Sequence, residues 1–386
     1  MARHYSSSKA VASKLLEAIA ALLSLPWRVA RRPRPALRRV LLVEPFQMGD
    51  VLSLTAMIDP LERKFGALEW YVLTKPAGGA ILRMDPRISV LSVDFPWSDH
   101  GEKKISVSRT WNAIRQVWRF RRIDFDLGID TRGDIRSQLL MVISGCRMRL
   151  GYRSYLNSNL SVWGLLLTHY PIRPKYRHRF EWNLYLLTAL GMEESELFPL
   201  RLPCFSPSSA SEQVGKRYPV VHVGGGWIHR RWPEENWMAL IRWLAQRVDW
   251  VHVIGGEGER EILDRIALGI RESANVRIEV TDLSGLVRSI SRCSFFVGLD
   301  SGPMNLAASL NRPSIALFGP GDTEMWRPLS AGSVVVRRTE NFPCSPCLQI
   351  TCLYPGRNCM HAIQVADVVS ILERLLNDIS NQPSTP

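Results

Sequence analysis

Short apolar runs alternate with amphipathic stretches through the first half of the chain. Four runs have the length and composition of strands, and they cover residues 39–43, 70–73, 90–93 and 125–129. Apolar residues at helical spacing lie between them, over residues 50–64, 111–122 and 137–144. Continuous apolar strands that alternate with helices are typical of a parallel sheet covered by helices on both faces. The first half of the chain is therefore predicted to be an α/β domain.

The same alternation starts again after residue 217, and its strands run directly into glycine-containing turns. The predicted strands cover residues 220–223, 250–254, 295–299 and 314–318, and helical patterns cover 234–247, a stretch from 260, and 304–310. In open parallel sheets, ligands bind beyond the carboxyl ends of the strands, where such turns gather. The second half is therefore predicted to be an α/β domain with a ligand site, and two such domains in tandem predict a cleft between them.

A stretch rich in proline and serine marks the boundary between the two halves. It contains Pro203, Ser206 and Pro207, shows no periodicity and is predicted to be a linker. A length of 386 residues fits two domains at roughly 150 residues each. We expect the chain to divide into a basic amphipathic segment (1–36), a first Rossmann-like domain (37–202), a linker (203–216) and a second Rossmann-like domain (217–386) that ends in a helix.

The N-terminal segment carries most of the excess positive charge. Of the formal net charge of +13, residues 1–39 hold +8, from nine lysines and arginines against the single acid Glu17. This distribution does not indicate a body that binds nucleic acid, so no nucleic-acid partner is expected. Apolar residues recur at helical spacing before Trp27 and a group of arginines, and they are Leu15, Leu16, Ile19, Leu22 and Leu23. Such a segment can lie in the headgroup layer of an anionic membrane; the alternatives are a secretory signal, a basic tail or a helix packed on its own domain.

Several classes of protein are excluded by the sequence. No uninterrupted apolar run approaches the roughly 20 residues that a membrane-spanning helix needs. Seven cysteines, four of them crowded into one short stretch, do not form the framework of a secreted disulfide-rich fold. The turn at 255–258 is not a dinucleotide fingerprint and no P-loop motif occurs, which argues against NAD enzymes and P-loop ATPases. With the N-terminal segment, this predicts a cytoplasmic protein attached peripherally to the inner face of the cytoplasmic membrane.

The glycine turns of the second half are a candidate site for a phosphorylated ligand. Glycine lets backbone N–H groups approach phosphate oxygens, and a following helix adds its positive end, although such turns also need glycine for backbone reasons alone. Arg230 and Arg231 follow a triple glycine, and two adjacent guanidiniums could neutralise a diphosphate or remain a solvated pair. Glu257 is a candidate acceptor for ribose hydroxyl groups.

Asp50 is the candidate general base. It follows a glycine after the first strand and begins a predicted helix. A carboxylate there could cap the helix, or it could accept a proton from a sugar hydroxyl group. Asp124 and Asp126 match the D-x-D metal site of some sugar transferases, but the apolar residues that follow them favour the beginning of a strand.

Four cysteines near the C-terminus have a spacing that suits a metal site. They follow the pattern C-x2-C-x4-C-x6-C, at Cys344, Cys347, Cys352 and Cys359. Four thiolates this close could hold zinc or an iron–sulfur cluster, and a reduced structural loop is an equally good interpretation.

Together these motifs resemble glycosyltransferase family 9, the lipopolysaccharide heptosyltransferase-like enzymes, over residues 38–378. The similar stretches are Met48-Gly49-Asp50-Val51, Arg230-Arg231-Trp232-Pro233, the run from Gly298 to Ala308, Ala316 to Pro320, and the cysteine-rich loop 344–359. The resemblance implies a GT-B fold, in which an acceptor-side and a nucleotide-sugar-binding Rossmann-like domain face a central cleft. It implies metal-independent, inverting transfer of a heptose-like sugar from ADP-heptose to a lipopolysaccharide-type or other lipid-linked acceptor.

The resemblance also implies roles for particular residues. Asp50 would deprotonate the acceptor, and Arg230, where the family has a lysine, would act at the diphosphate. The candidate donor-binding residues are Gly224, Gly225, Arg231, Gly256, Glu257, Leu283, Asp300, Ser301, Gly302, Pro303, Met304 and Asn305. No cofactor is expected to be required for catalysis.

The sequence also departs from the family pattern. Glu44 stands where the family has an arginine, Phe46 and Gln47 replace small hydroxyl residues, and Asn305 replaces a histidine. Glu44 and Asn305 favour an alternative function, a non-catalytic nucleotide-binding membrane adaptor with the same fold. A sugar epimerase that acts on a nucleotide sugar without an acceptor is a third interpretation.

Overall fold

The structure is a computed structural model in which two compact units divide between Pro203 and Cys204. It describes residues 14–23, 34, 36–98, 106–153, 164–171, 178–198, 218–226, 228–271, 273–347, 352–354 and 356–381. The predicted linker, 203–216, lies outside these residues. Within the described residues, no helix is both long enough and apolar enough to cross a bilayer.

The first unit contains a five-stranded parallel sheet in the order β3-β2-β1-β4-β5. Its strands are β1 (Arg39–Glu44), β2 (Glu69–Thr74), β3 (Ile88–Ser92), β4 (Leu127–Asp130) and β5 (Met148–Gly151). β1 lies at the centre, with Leu42 opposite Val72 of β2 and Ile129 of β4. Its middle residues are fully buried, as expected for a strand covered on both faces.

Helices cover both faces of the first sheet. They are α1 (residues 14–23), α2 (Met48–Leu54), α3 (Ile58–Phe65), α4 (Pro76–Leu82), α5 (Val107–Arg119), α6 (Ile135–Ile143), α7 (Arg179–Tyr185) and α8 (Glu194–Leu197). α2 packs against α4 and α7, and α5 packs against α6. The chain adds β2 and β3 on one side of β1 and then β4 and β5 on its other side. Because crossovers between parallel strands are right-handed, this reversal places α5 and α6 on the face of the sheet opposite α2 and α4. Ala113 and Val117 of α5 share a core with Leu41 and Val43 of β1.

The second unit contains a six-stranded parallel sheet in the order β11-β10-β9-β6-β7-β8. Its strands are β6 (Tyr218–His222), β7 (Val251–Gly255), β8 (Val276–Val280), β9 (Cys293–Leu299), β10 (Ser314–Phe318) and β11 (Val334–Arg337). Its helices are α9 (Glu234–Ala245), α10 (Arg260–Gly269), α11 (Leu283–Arg292), α12 (Gly302–Ser309), α13 (Thr323–Trp326) and α14 (Val365–Asn381). Strand order reverses between β6 and β9, which is the position where open α/β sheets bind ligands.

The predicted α/β class is confirmed, and the predicted central strands are all present. β3, β4, β6 and β9 each begin two residues from their predicted first residue; β4 begins at Leu127 because Asp124 adopts a left-handed conformation with φ of 63° and ends the preceding turn. The helices predicted at 111–122 and 137–144 correspond to α5 and α6. The sequence did not predict strands β5, β8 and β11.

Candidate active site

Asp50 lies just beyond the carboxyl end of β1. The strand ends at Glu44, and α2 begins at Met48 after a short loop. Asp50 is in the first turn of α2, where the helix dipole favours a carboxylate. Gln47 is the N-cap residue, so Asp50 does not occupy the cap position, and the residue is 7 % exposed.

Two arginines contact the carboxylate of Asp50. Nη1 of Arg132 lies 3.2 Å from Oδ1 of Asp50, and Nε of Arg179 lies 3.3 Å from the same oxygen. Arg132 follows β4, and Arg179 is the first residue of α7. Neither arginine was among the residues that the sequence pattern indicated. The position of Arg132 just after a parallel strand was a usable signal, because such residues gather at one edge of the sheet; no local pattern distinguishes Arg179.

Glu44 is a fully buried carboxyl group beside Asp50. Its Oε2 accepts hydrogen bonds from Nη2 of Arg179 at 3.0 Å and from Oγ1 of Thr131 at 3.2 Å. Burial raises the pKa of Glu44 to about 8, the charge of Asp50 adds to this rise, and Arg132 and Arg179 oppose it. The family pattern has an arginine at position 44. In this chain position 44 is a glutamate, and the guanidinium of Arg179 supplies the positive charge beside it.

Arg132 is oriented by the loop that follows β4. Its backbone N–H donates to Asp130 at 3.0 Å, and its guanidinium lies over the ring of Phe46, 4.0 Å from the centroid. Burial raises the pKa of Asp130 to about 7, opposed by the hydrogen bond from Arg132. Stacking of a guanidinium on an aromatic face is favourable and fixes its plane. Phe46, one of the departures from the family pattern, thus supports Arg132.

In the second unit, Trp232 fixes the turn that carries the two candidate arginines. The Trp232 side chain is 2 % exposed, packs edge-on against Trp237, and donates from Nε1 to the Ile363 carbonyl at 2.8 Å. A tryptophan buried in this way contributes about 3–5 kcal/mol when compared with alanine. The preceding residues, Arg230 and Arg231, are thereby held beside the glycine turn after β6.

The two arginines have different partners in that turn. Nε of Arg231 donates to the Gly225 carbonyl at 3.3 Å. Nη1 of Arg230 lies 3.6 Å from Oδ2 of Asp300, which follows β9. Burial raises the pKa of Asp300 to about 6, and the charge of Arg230 opposes the rise. The structure therefore brings together Arg230 and Asp300, which the sequence analysis proposed separately.

The turns after β6 and β7 meet at Glu259. Oε2 of Glu259 accepts the Gly256 N–H at 2.9 Å, and a Cβ atom added to Gly224 would lie 2.7 Å from the Glu259 carboxyl carbon. The predicted ribose acceptor, Glu257, is exposed and forms a two-point pair with Arg260. Glu259 was not among the predicted site residues, although its position at the beginning of α10, next to two glycine turns, was a usable signal.

The remaining donor-site candidates lie at the beginnings of α11 and α12. Ser301 is the N-cap residue of α12, and Gly302 and Pro303 form its first turn. The Met304 side chain is fully buried, and Asn305 donates from Nδ2 to the Ser301 carbonyl at 3.1 Å, so both side chains support the turn. Leu283 begins α11, next to its N-cap residue Asp282.

Comparison with known proteins identifies the chain. The family model described as glycosyltransferase family 9 (heptosyltransferase) matches residues 114–357, which is more than half of the chain. The chain belongs to glycosyltransferase family 9. It is therefore a glycosyltransferase, and the family predicted from the motifs is confirmed.

Alignments with relatives of this family 9 glycosyltransferase cover most of its length. Lipopolysaccharide heptosyltransferase 2 of Escherichia coli K12 is 34% identical over 322 residues, covering 78% of this chain and 88% of the relative. Lipopolysaccharide heptosyltransferase 1 of Pseudomonas aeruginosa is 25% identical over 335 residues, covering 82% and 88%. The solved structure of E. coli ADP-heptose lipopolysaccharide heptosyltransferase II has a TM-score of 0.69 at 19% identity and covers 89% of this chain and 99% of that one. The predicted GT-B fold is thereby confirmed.

Four cysteines of the family 9 chain lie near one another after β11. Burial raises the pKa of the Cys359 thiol to about 11, and the charges of Cys344, Cys352 and Cys347 add to this rise. His361 is held by Asn358, whose Oδ1 lies 2.9 Å from its Nδ1. Thiolates suit zinc or iron. Among the described residues, however, no group of three or more His, Cys, Asp and Glu side chains is arranged to hold a metal ion.

The D-x-D pair of the family 9 chain has a structural role at the opposite end of β4. Asp126 accepts the backbone N–H groups of Arg38 and Arg39, each at 3.0 Å. Asp124 pairs with Arg34 and with Arg147. These carboxylates therefore fix the amino ends of β1 and β4.

Proposed function

We propose that the enzyme transfers a heptose-like sugar from ADP-heptose to a lipopolysaccharide-type or other lipid-linked acceptor, with inversion at the anomeric carbon. The names of its relatives support a heptose donor and a lipopolysaccharide acceptor, and the name of the solved E. coli heptosyltransferase II supports ADP-heptose as the donor. The observation that carries the proposal is the carboxylate of Asp50, which two guanidiniums hold beyond the carboxyl end of β1.

In the proposed reaction, Asp50 is the general base. The acceptor hydroxyl donates its proton to the carboxylate as its oxygen attacks the anomeric carbon, and the bond from that carbon to the diphosphate oxygen breaks. A single displacement of this kind inverts the configuration. Arg132 and Arg179 restrict the carboxylate to one orientation, which favours a reactive geometry.

The proposed donor site lies at the glycine turns of the second unit. Arg230 balances the negative charge that grows on the leaving diphosphate, as a metal ion does in other transferases. Backbone N–H groups at the start of α12 and in the turns around Gly224 and Gly256 would bind phosphate oxygens. Asp300 would contact the donor sugar, and its pairing with Arg230 supports a shared position for the two side chains.

The experiment measures ADP release by purified protein from ADP-heptose, with and without a lipid-linked lipopolysaccharide core acceptor. We expect acceptor-dependent release that Asp50→Asn abolishes. Asp124→Asn is the matched control, because Asp124 is also a carboxylate between two arginines but lies at the amino end of β4. Donor binding without transfer to any glycolipid would instead support the adaptor function, and conversion of the donor without an acceptor would support the epimerase.

We also propose that α1 attaches the enzyme peripherally to the inner face of the cytoplasmic membrane. Its apolar residues are exposed, and they are Leu15, Leu16, Ile19, Leu22 and Leu23. Glu17 is buried and accepts the Leu165 N–H at 2.7 Å, which fixes one side of the helix to the first unit. An apolar face next to a basic segment suits anionic lipid headgroups.

We propose a structural zinc ion or iron–sulfur cluster at the cysteine-rich loop as a separate property. The C-x2-C-x4-C-x6-C spacing supports it, and the four thiols would have to move closer together to hold the metal. Elemental analysis of anaerobically purified protein tests this directly. We expect about one zinc ion or one cluster per chain in wild type and loss of the metal in Cys344→Ser, whereas a metal-free wild-type protein would leave a reduced structural loop.

A further inference from the structure

α5 exposes an aromatic stripe on the side that faces away from the core. Val107, Trp111 and Trp118 are 84%, 66% and 56% exposed. They are four and seven residues apart, so they lie on one face of the helix. The opposite face packs into the core through Ala113 and Val117. Large exposed apolar side chains that form one patch mark an interaction surface.

Arginines border this stripe. Arg115, Arg119 and Arg122 are exposed, and none of the three has an ion pair within the part of the chain that the structure describes. Arg109, six residues before Arg115, is instead paired with Asp94 at 2.8 Å. The face therefore combines two indole rings with unneutralised guanidiniums.

This combination fits the surface of an anionic bilayer. Tryptophan prefers the boundary between headgroups and acyl chains, where the ring is half in an apolar environment, and guanidiniums bind the phosphate groups above it. A protein partner that buried three unpaired arginines would need matching carboxylates, whereas an anionic membrane supplies a continuous field of negative charge.

The position of α5 relative to α1 adds an independent argument. Val117 of α5 and Leu167 belong to the same core cluster, and Glu17 of α1 binds the N–H of Leu165, two residues earlier. Both helices are thus connected to the segment 164–171 of the first unit, α5 through a shared core cluster and α1 through a hydrogen bond. Arg34, between α1 and β1, pairs with Asp124, which follows the one-turn extension of α5 over Phe120–Ile123.

We propose that the Val107, Trp111 and Trp118 face of α5, with Arg115, Arg119 and Arg122, is a second membrane-docking surface that binds anionic phospholipid. Two attachments on the first unit fix its orientation on the bilayer, whereas one amphipathic helix leaves it free to rotate. The proposal rests on the membrane location proposed above and not on the catalytic roles.

The test is flotation of the full chain with vesicles that contain phosphatidylglycerol and with vesicles of phosphatidylcholine alone. We expect binding to the anionic vesicles that high salt weakens. The triple variant Arg115→Gln, Arg119→Gln, Arg122→Gln should lower the partition coefficient about a hundredfold, at about fivefold for each arginine. The double variant Trp111→Ala, Trp118→Ala should lower it at least about tenfold. The control is the double variant Leu268→Ala, Arg271→Gln, whose two side chains are exposed on the second unit. It should leave the partition coefficient unchanged.

Two further measurements make the result decisive. The first is the unfolding midpoint, which should equal that of wild type in all variants because the substituted side chains are exposed. The second is the rate of ADP release with a water-soluble acceptor fragment, which should also equal that of wild type. Unchanged vesicle binding by both α5 variants would overturn the proposal. A wild-type dimer in sedimentation that the tryptophan variant dissociates would overturn it as well, since a second copy would then cover the face. Wild-type protein that binds vesicles through α5 but transfers no sugar would contradict the proposed function alone.

Discussion

Arg179 contacts Glu44 and Asp50 at the same time. Its Nη2 donates to Glu44 at 3.0 Å, and its Nε lies 3.3 Å from Asp50. The arginine is almost completely buried, and further donates to the Thr131 carbonyl at 2.9 Å. One guanidinium therefore separates two carboxyl groups that would otherwise repel each other in a buried environment.

Asp50→Asn should lower kcat by about a hundredfold to ten-thousandfold, because the amide cannot accept the proton of the acceptor hydroxyl group. The KM for ADP-heptose should change little. Steady-state ADP release at saturating donor measures both quantities. The control Asp124→Asn should retain activity, and a fully active Asp50→Asn enzyme would refute the assignment of the base.

Glu44 should make stability depend on pH. Because its folded-state pKa is raised to about 8 from 4.5, the folded protein binds the proton more tightly than the unfolded chain does. The free energy of unfolding should therefore fall as pH rises from about 4.5 to 8, by at most about 1.4 kcal/mol per pH unit. Urea unfolding at a series of pH values measures this slope.

The matched variant for that slope is Glu44→Gln, which keeps the shape and one hydrogen-bond acceptor. Asp130 and Asp300 have raised pKa values as well, so only the difference between wild type and variant reports Glu44. Relative to wild type, the variant should gain stability as pH rises. Parallel curves for the two proteins would show that Glu44 has no raised pKa.

Arg179→Met should destabilise the first unit by about 3–5 kcal/mol, because it removes the fully buried positive partner of Glu44 and Asp50 and leaves them only Arg132. The double variant with Glu44→Gln should recover part of that loss, since Asp50 is then the only carboxyl group of the pair. Denaturant unfolding measures the coupling. Activity should stay low in the double variant because Asp50 still lacks one of its two arginines. Strictly additive losses of stability would contradict the coupling.

Arg230→Ala should weaken ADP binding by about tenfold to a hundredfold, the effect of a charge-assisted hydrogen bond worth about 1.5–3 kcal/mol. Arg230→Lys should restore much of it because the positive charge remains. Isothermal titration with ADP measures both. Arg265→Ala is the control, since Arg265 forms an exposed pair with Glu234. Equal ADP affinity in Arg230→Ala and wild type would remove Arg230 from the donor site.

Gly224→Ala should weaken ADP binding more than Gly226→Ala. A Cβ atom at Gly224 would lie 2.7 Å from the side chain of Glu259 and displace it from the Gly256 N–H, whereas nothing lies within 4 Å at Gly226. Thermal shift with ADP compares the two single-methyl changes. If both variants respond to ADP as wild type does, the contact between Gly224 and Glu259 has no role in donor binding.

Much of the fold followed from the sequence because central parallel strands are continuous apolar runs. β1, β6, β7 and β10 were predicted because their residues are buried on both faces. The strands that were not predicted are β5, β8 and β11, and all three are edge strands that contain an arginine. Arg149 in β5 and Arg277 in β8 interrupt the apolar run that marks a strand; Arg277 is exposed, whereas Arg149 is buried and donates to the Cys146 carbonyl. In β11 only three apolar residues precede Arg337, which is too short a run to mark a strand.

For the candidate site, the sequence by itself determined which groups lie at the carboxyl ends of strands. The glycine turns and Asp300 follow predicted strands directly, and Asp50 follows the first predicted strand after a short loop, so local order places all of them at that edge. Only the tertiary structure decided their partners. Arg179 is 135 residues from Glu44 along the chain, and its guanidinium reaches the carboxylates only after α7 packs on α2. The local pattern of apolar and polar residues predicts helices and strands because their backbone geometry repeats over a few residues. An ion pair between distant residues depends instead on how those helices and strands pack.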